Sequence, residues 1–261
     1  MEIVVLADHV SVGELVGSTI ADLVQNDPAT VLGLATGSSP LPVYQDLIDR
    51  VERGGLDLSG ATAFTLDEYV GLPPSHPEAY RSFIRRVFTL AAGISDDRLK
   101  TPEVAGSDIV GSCARYEQAI RSAGGVALQL LGIGSDGHIG FNEPTSSLGS
   151  RTRMKTLTDQ TLADNARFFD DDIDQVPNHV VTQGIGTILE ARHVVLVAAG
   201  QSKADAVAAA VEGPLTAMVP ASALQLHPHA TIVLDDAAAS KLTLLDYYRS
   251  AYARKPEWQG I

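Results

Sequence analysis

Residues 126–133, Val126-Ala127-Leu128-Gln129-Leu130-Leu131-Gly132-Ile133, form a nearly unbroken apolar run. It leads straight into Gly134-Ser135-Asp136-Gly137-His138-Ile139-Gly140-Phe141-Asn142-Glu143-Pro144, a polar stretch rich in glycine. Such a run reads as a strand buried on both faces, the kind used in parallel sheets. The literal G-x-G-x-x-G from Gly132 to Gly137 invites a dinucleotide fingerprint. That motif must open a helix, however, and Gly140 and Pro144 would interrupt a helix at this point. The stretch therefore reads as a strand that ends in a loop.

Working outward, apolar β-branched runs recur at 3–7, 31–35, 61–66, 193–199 and 231–234. Helical patterns separate them. Ser11 and Glu14 form a capping box ahead of 15–25, Pro40 opens a stretch to Arg53, and Pro77 opens another to Thr89. Further helices are predicted over 108–122, 158–169, 182–190 and 203–212. The alternation predicts an α/β fold, Rossmann-like, with a mostly parallel sheet and helices on both faces. No repeat or linker-like tract divides the chain, so residues 1–261 are expected to form a single domain; the softest stretches are 71–76 and 214–220.

The 261 residues are 45% hydrophobic and 20% charged, which excludes a mainly disordered chain. Lysine and arginine number 19 against 32 acids, a net charge of −13 that repels nucleic acid and anionic membranes. An anionic small molecule remains a suitable ligand where basic groups and backbone N–H donors converge locally. A single cysteine, Cys113, leaves no disulfide framework or thiolate cluster within the chain. With no basic leader and no apolar stretch near the ~18 residues of a membrane span, a cytoplasmic protein is expected.

The polar clusters each come directly after an apolar run: 36–40, 67–69, 134–143 and 200–203. In an open parallel sheet these exits share one edge, where ligands bind. Thr36-Gly37-Ser38-Ser39-Pro40 turns on glycine into a helix, so N–H groups and hydroxyls gather near the positive helix end. That suits a phosphate, although a plain serine cap has the same look. It lacks the Gly-Lys-Ser/Thr ending of a nucleoside triphosphate loop. Arg167 and Lys203 are candidates for compensating charge. Asp67 and Glu68 are adjacent at a strand end, so their side chains point to opposite sides and only one faces the crevice. Asp67 is the expected general base, with a turn aspartate as the plain alternative. In the 134–144 loop, Asp136 and Glu143 can both approach His138, fixing its tautomer while it passes protons. A metal held by His138, the two acids and a histidine from His227-Pro228-His229 is the competing chemistry. A His-Pro-His before a strand is more often a turn with solvated rings.

Together these stretches resemble the glucosamine-6-phosphate deaminase (isomerase) family. Besides the motifs above, the likeness includes Thr65-Leu66-Asp67-Glu68-Tyr69-Val70-Gly71-Leu72, Ser150-Arg151-Thr152-Arg153-Met154-Lys155-Thr156 and Asn165-Ala166-Arg167-Phe168-Phe169. It continues through Ala210-Val211-Glu212-Gly213 to Leu224-Gln225-Leu226-His227-Pro228. The resemblance implies conversion of glucosamine 6-phosphate and water to fructose 6-phosphate and ammonia with no metal or organic cofactor. It implies Asp67 as enolisation base, His138 as ring-opening acid/base, and Asp136 and Glu143 as relay partners. Thr36, Gly37, Ser38, Ser39, Arg167 and Lys203 fall at phosphate-binding positions. Ser146, Arg153 and Lys155 match a loop that binds N-acetylglucosamine 6-phosphate in regulated, hexameric members, so a homo-oligomer with that effector is expected. Gly37-Ser38-Ser39 departs from the Gly-Gly-Thr/Ser of many relatives. A 6-phosphogluconolactonase-type enzyme shares the Asp-Gly-His loop but is not expected to keep Asp67-Glu68-Tyr69 or Phe141-Asn142-Glu143-Pro144. A non-catalytic sugar-phosphate sensor would lack acid/base residues, and none is missing.

Overall fold

The computed structural model describes residues 1–261 apart from the side chain of Glu257. The strands are β1 (Glu2–Leu6), β2 (Val31–Leu34), β3 (Thr62–Thr65), β4 (Asp67–Tyr69), β5 (Leu99–Lys100), β6 (Leu128–Leu131), β7 (Arg153–Thr156), β8 (His179–Thr182), β9 (His193–Ala198) and β10 (Ala230–Asp235). The α-helices are α1 (His9–Asn26), α2 (Leu41–Glu52), α3 (Tyr80–Ile84), α4 (Ile109–Ser122), α5 (Asp159–Ala166), α6 (Ile185–Ile188), α7 (Ala204–Val211) and α8 (Leu245–Ala253). Seven strands form one sheet in the order β1-β10-β9-β6-β2-β3-β5, and every pairing in it is parallel. This is the doubly wound architecture expected from the apolar runs.

Both faces of that sheet are dry. On one, Leu32, Leu34, Leu128, Leu130, Val195 and Val197 pack against Val12, Val16 and Ile20 of α1 and Tyr44 and Leu47 of α2. On the other, Val31, Leu131, Leu196 and Ile232 meet Tyr116 and Ile120 of α4 and Val207 and Ala210 of α7. Residues adjacent along β6 thus enter opposite clusters, as a period of two requires.

Several boundaries differ from expectation. Helix α1 begins at His9, capped by Asp8, whose carboxylate accepts from Ser11 N at 2.8 Å. Asp8 supplies a charged acceptor at the N-terminus, so the Ser11/Glu14 box is not the start. The helix predicted from Pro77 forms only over α3 and then widens into a π-helical turn, Arg85–Thr89. The 182–190 prediction shrinks to α6, because β8 claims the preceding residues for a second, antiparallel sheet ordered β4-β8-β7. That small sheet, β5 and α8 were not anticipated, and 220–226, which begins at the edge of a soft stretch, is a 3-10 helix. No described helix is long and apolar enough to cross a membrane.

Helices α1 and α2 approach closely because Gly13 and Gly17 face α2. A Cβ on Gly13 would fall 2.5 Å from Pro42 Cβ and 2.6 Å from its backbone carbon. Gly13→Ala is therefore expected to cost about 1–3 kcal/mol through overpacking, net of the ~1 kcal/mol that alanine gains in helix propensity. The check is the urea unfolding midpoint; a midpoint at or above that of the parent protein would contradict the close approach.

Candidate active site

From β2 the chain steps outward through β3 to β5. From β6 it steps the other way through β9 to β10. The reversal falls between β2 and β6, and in an open parallel sheet the ligand crevice lies beyond the carboxyl ends at such a point. Four neighbouring strands, β9, β6, β2 and β3, deliver the polar clusters to it: Gly200 to Lys203, the 134–143 loop, the 36–40 loop and Asp67. Side-chain contacts tie them together. A Cβ on Gly132 would lie 3.9 Å from Ser39 Cβ, and one on Gly140 would lie 3.6 Å from Asp67 Oδ2. The His138 ring folds back over Gly134, where a Cβ would fall 2.2 Å from Cε1, so only glycine fits. Asp67 and His138 are thus held against the same loop.

The two adjacent carboxylates divide as strand geometry predicts. Glu68 accepts from the N–H groups of Tyr69, Tyr80 and Arg81, each at 2.9 Å, and so caps the start of α3. Asp67 is 3% exposed, and its Oδ1 is buried without a hydrogen-bond partner. Burial, aided by the neighbouring charge of Glu68, holds the Asp67 carboxyl well above the ordinary range. A buried carboxylate with an unused oxygen is costly unless something is brought to it.

His138 Nδ1 lies 2.7 Å from Asp136 Oδ1, an ion-pair approach off the line of a hydrogen bond from that nitrogen. The same Oδ1 accepts from His138 N at 3.1 Å. The His138 side chain, working against burial, lowers the Asp136 carboxyl, so the acid stays charged beside the ring. Of the two acids expected beside His138, only Asp136 is in contact. Glu143 turns toward the first turn of α5, where its Oε1 accepts from the hydroxyls of Thr158 and Thr161. Its buried position beside two hydroxyls satisfies it locally, so a relay contact with His138 is absent in this conformation.

The 36–40 loop turns at Gly37, whose φ is +93°, a value open to glycine. Tyr44 fixes its base from within: its hydroxyl donates to Ala35 O at 2.7 Å and accepts from Ala35 N at 3.1 Å. The backbone N–H groups of Thr36, Gly37, Ser38 and Ser39 donate to no described protein acceptor. Lys203 is brought near Arg167: burial, and then the Arg167 charge, depress its ammonium, while Asp164 and Asp136 oppose this. Arg167 stacks over Phe168 at 4.7 Å. Arg167 and Lys203 are thus two neighbouring cations, and the 36–39 amides are open donors at the exit of β2.

Arg153 on β7 donates to Asn142 Oδ1 at 2.9 Å, Lys155 lies two residues further along the strand, and the buried Ser146 Oγ has no partner. His227 and His229 lie at the amino end of β10, across the sheet from His138. His227 is buried and its Nε2 pairs with Ala191 O at 2.8 Å, while His229 stacks on His193 with centroids 3.7 Å apart. His227 is thus withdrawn from solvent while His229 keeps the exposed position expected of a turn histidine, and neither is joined to His138 in a metal set. No group of three or more His, Cys, Asp or Glu among the described residues is placed to hold a metal ion.

Sequence reasoning passed over several supporting residues. Thr182 Oγ1 accepts from Phe141 N at 3.1 Å. Buried Asn142 donates to Ile139 O and Gln183 O at 2.9 and 2.8 Å, pinning the 134–143 loop to the residue that follows β8. Asn142 lay within a quoted motif but carried no signal of this role, because Gln183 is 41 residues away in the chain.

A doubly wound sheet whose switch point gathers open loop amides, a buried carboxyl and a histidine–aspartate pair defines an α/β protein with a small-molecule crevice at its strand exits. The chain belongs to the family of glucosamine-6-phosphate isomerases/6-phosphogluconolactonase, whose model matches residues 7–233. It is 60% identical over 261 residues, the full length of both chains, to a glucosamine-6-phosphate deaminase of Streptomyces avermitilis. Among solved structures, a monomeric glucosamine-6-phosphate deaminase superposes with a TM-score of 0.89 at 38% identity, covering 92% of this chain and all of that one. A 6-phosphogluconolactonase from Trypanosoma brucei shares the fold alone: its TM-score is 0.73 at 19% identity, over 93% and 98% of the two chains.

Proposed function

We propose that the protein is a glucosamine-6-phosphate deaminase, converting D-glucosamine 6-phosphate and water to D-fructose 6-phosphate and ammonia in amino-sugar catabolism. The observation that carries this is the buried, unpartnered Asp67 carboxylate held against the same loop as the His138–Asp136 pair. Full-length similarity to deaminases supports it. The lactonase alternative has only fold-level likeness behind it.

In the proposed reaction the phosphate seats on the 36–39 amides and hydroxyls, with Arg167 and Lys203 neutralising it. That anchor orients the reacting carbons at the other end of the sugar. His138 gives a proton to the ring oxygen and receives one from the anomeric hydroxyl, opening the pyranose. Asp67 then takes the proton from C2 and returns one to C1, while a proton lost from the amine is gained by O1, which leaves a hydroxymethyl group at C1 and a ketimine at C2. Water adds to that carbon and ammonia leaves, so the protons balance without an oxidant. Asp136 stays ionised throughout and steadies imidazolium.

We further propose that Ser146, Arg153 and Lys155 bind the effector N-acetylglucosamine 6-phosphate. The unpaired Ser146 hydroxyl and the absence of an ion pair to Arg153 or Lys155 among the described residues support an anion there. A cytoplasmic homo-oligomer remains part of the proposal, although one deaminase of this fold is monomeric.

The purified protein is expected to release ammonia and form fructose 6-phosphate from glucosamine 6-phosphate with no added metal. Hydrolysis of 6-phosphogluconolactone without ammonia release would replace the deaminase by the lactonase. Activity abolished by a chelator and restored by a divalent ion would overturn the metal-free part. The same assay with the effector, alongside sedimentation velocity, reads regulation and subunit number.

A further inference from the structure

His9 opens α1, and its Nε2 lies 2.8 Å from the carbonyl oxygen of Ser39 in the 36–40 loop. A carbonyl only accepts, so Nε2 must carry the hydrogen. The peptide that His9 reaches is unusual within the cradle. It joins Ser39 to Pro40, and proline has no N–H, so this one link presents an acceptor with no donor on its other side. A carbonyl dipole left free beside an anion site has the wrong polarity for a phosphate. A ring N–H donated to it offsets that dipole and keeps the oxygen directed at α1.

The rest of the loop is fixed from other directions. Tyr44 holds Ala35 from within the core, and Leu41 N reaches back to Ser38 O at 3.3 Å. Ser39 O has His9 as its only described partner. The close α1–α2 packing at Gly13 and Gly17 is what brings the first turn of α1 within reach.

From this geometry we infer that His9 is a positioning residue for the phosphate cradle: by donating to Ser39 O it turns that carbonyl away and leaves the loop amides directed at the anion. The inference rests on 36–40 being the phosphate loop of the proposed enzyme. It does not require His9 to touch the substrate.

The test compares the parent protein with His9→Ala and His9→Gln. Glutamine places an amide N–H close to where Nε2 stands, so it can restore the contact without an imidazole. Two measurements are made: inorganic phosphate affinity by titration calorimetry, and KM and kcat for glucosamine 6-phosphate. His9→Ala is expected to weaken phosphate binding and raise KM roughly three- to tenfold, the scale of one lost hydrogen bond, with a smaller change in kcat. His9→Gln is expected to recover most of that loss. Unchanged phosphate affinity in His9→Ala overturns the inference, as does an affinity loss that His9→Gln fails to reduce. Failure of the enzymatic assignment reads differently. If the parent protein binds phosphate but releases no ammonia, the deaminase falls and the affinity series still decides the role of His9. If the parent protein binds no phosphate, the cradle and the His9 inference fall together.

Discussion

Asp67→Asn is expected to lower turnover of glucosamine 6-phosphate by about 10²–10⁴-fold, the range for a lost general base, with affinity for fructose 6-phosphate nearly retained. The amide has the same shape but cannot take the C2 proton, and the phosphate anchor is supplied by other strands. The variant is also expected to be more stable than the parent protein at neutral pH. Burial raises the Asp67 carboxyl in the folded state. The stability it contributes is therefore fully present below its unfolded value and is lost as pH rises through the folded value. Asparagine carries no such loss, so the difference in unfolding free energy should grow with pH across that interval and then level off. Stability curves at several pH values, beside single-turnover rates, check both halves. Near-normal turnover would mean that Asp67 is not the base. A variant less stable than the parent at every pH would mean that the carboxylate is satisfied by the protein after all.

The second large effect is expected at His138. His138→Gln should reduce turnover of the cyclic substrate by about 10²-fold or more. An analogue lacking both the 4- and 5-hydroxyls, which closes neither a furanose nor a pyranose ring, should lose much less. Only ring opening requires a proton at the ring oxygen, so the ratio of the two losses isolates that step. Glutamine retains a hydrogen-bonding group near Nε2, which limits disturbance of the loop packed over Gly134. Equal losses for both compounds would remove His138 from ring opening and assign it to a later proton transfer. Asp136 enters the same experiment. Since the His138 contact holds its carboxyl low, Asp136→Asn should depress the cyclic reaction in the same sense by withdrawing charge that favours imidazolium.

The architecture was legible in the sequence because it is local. Each buried strand declares itself by an apolar run, and chain direction fixes which end of that run is its exit. Once the strands are parallel, all exits share an edge, so the loops at 36–40 and 134–143 and the residues Asp67 and Lys203 were bound to converge. Alternation along the strand also separated Asp67 from Glu68 before any coordinates. The second sheet was hidden, since β4 and β7 are short and polar, and β8 is a four-residue strand whose last residue, Thr182, fell in the predicted 182–190 helix. The 158–169 helix was placed correctly at its start but ends at Ala166, and nothing in its pattern announced that Thr158 and Thr161 would hold Glu143.

By itself, then, the sequence determined six of the seven strands of the main sheet, all but the short edge strand β5, together with the doubly wound layout and the clusters at the strand exits, because periodicity and chain polarity are properties of neighbouring residues. Tertiary structure alone decided which partner each delivered group meets: Asp136 rather than Glu143 against His138, backbone amides for Glu68 and none for Asp67, His9 on the Ser39 carbonyl. Most of those pairings join residues far apart in the chain, and their energy depends on burial and on distances of a few tenths of an ångström, which hydrophobic patterning does not encode.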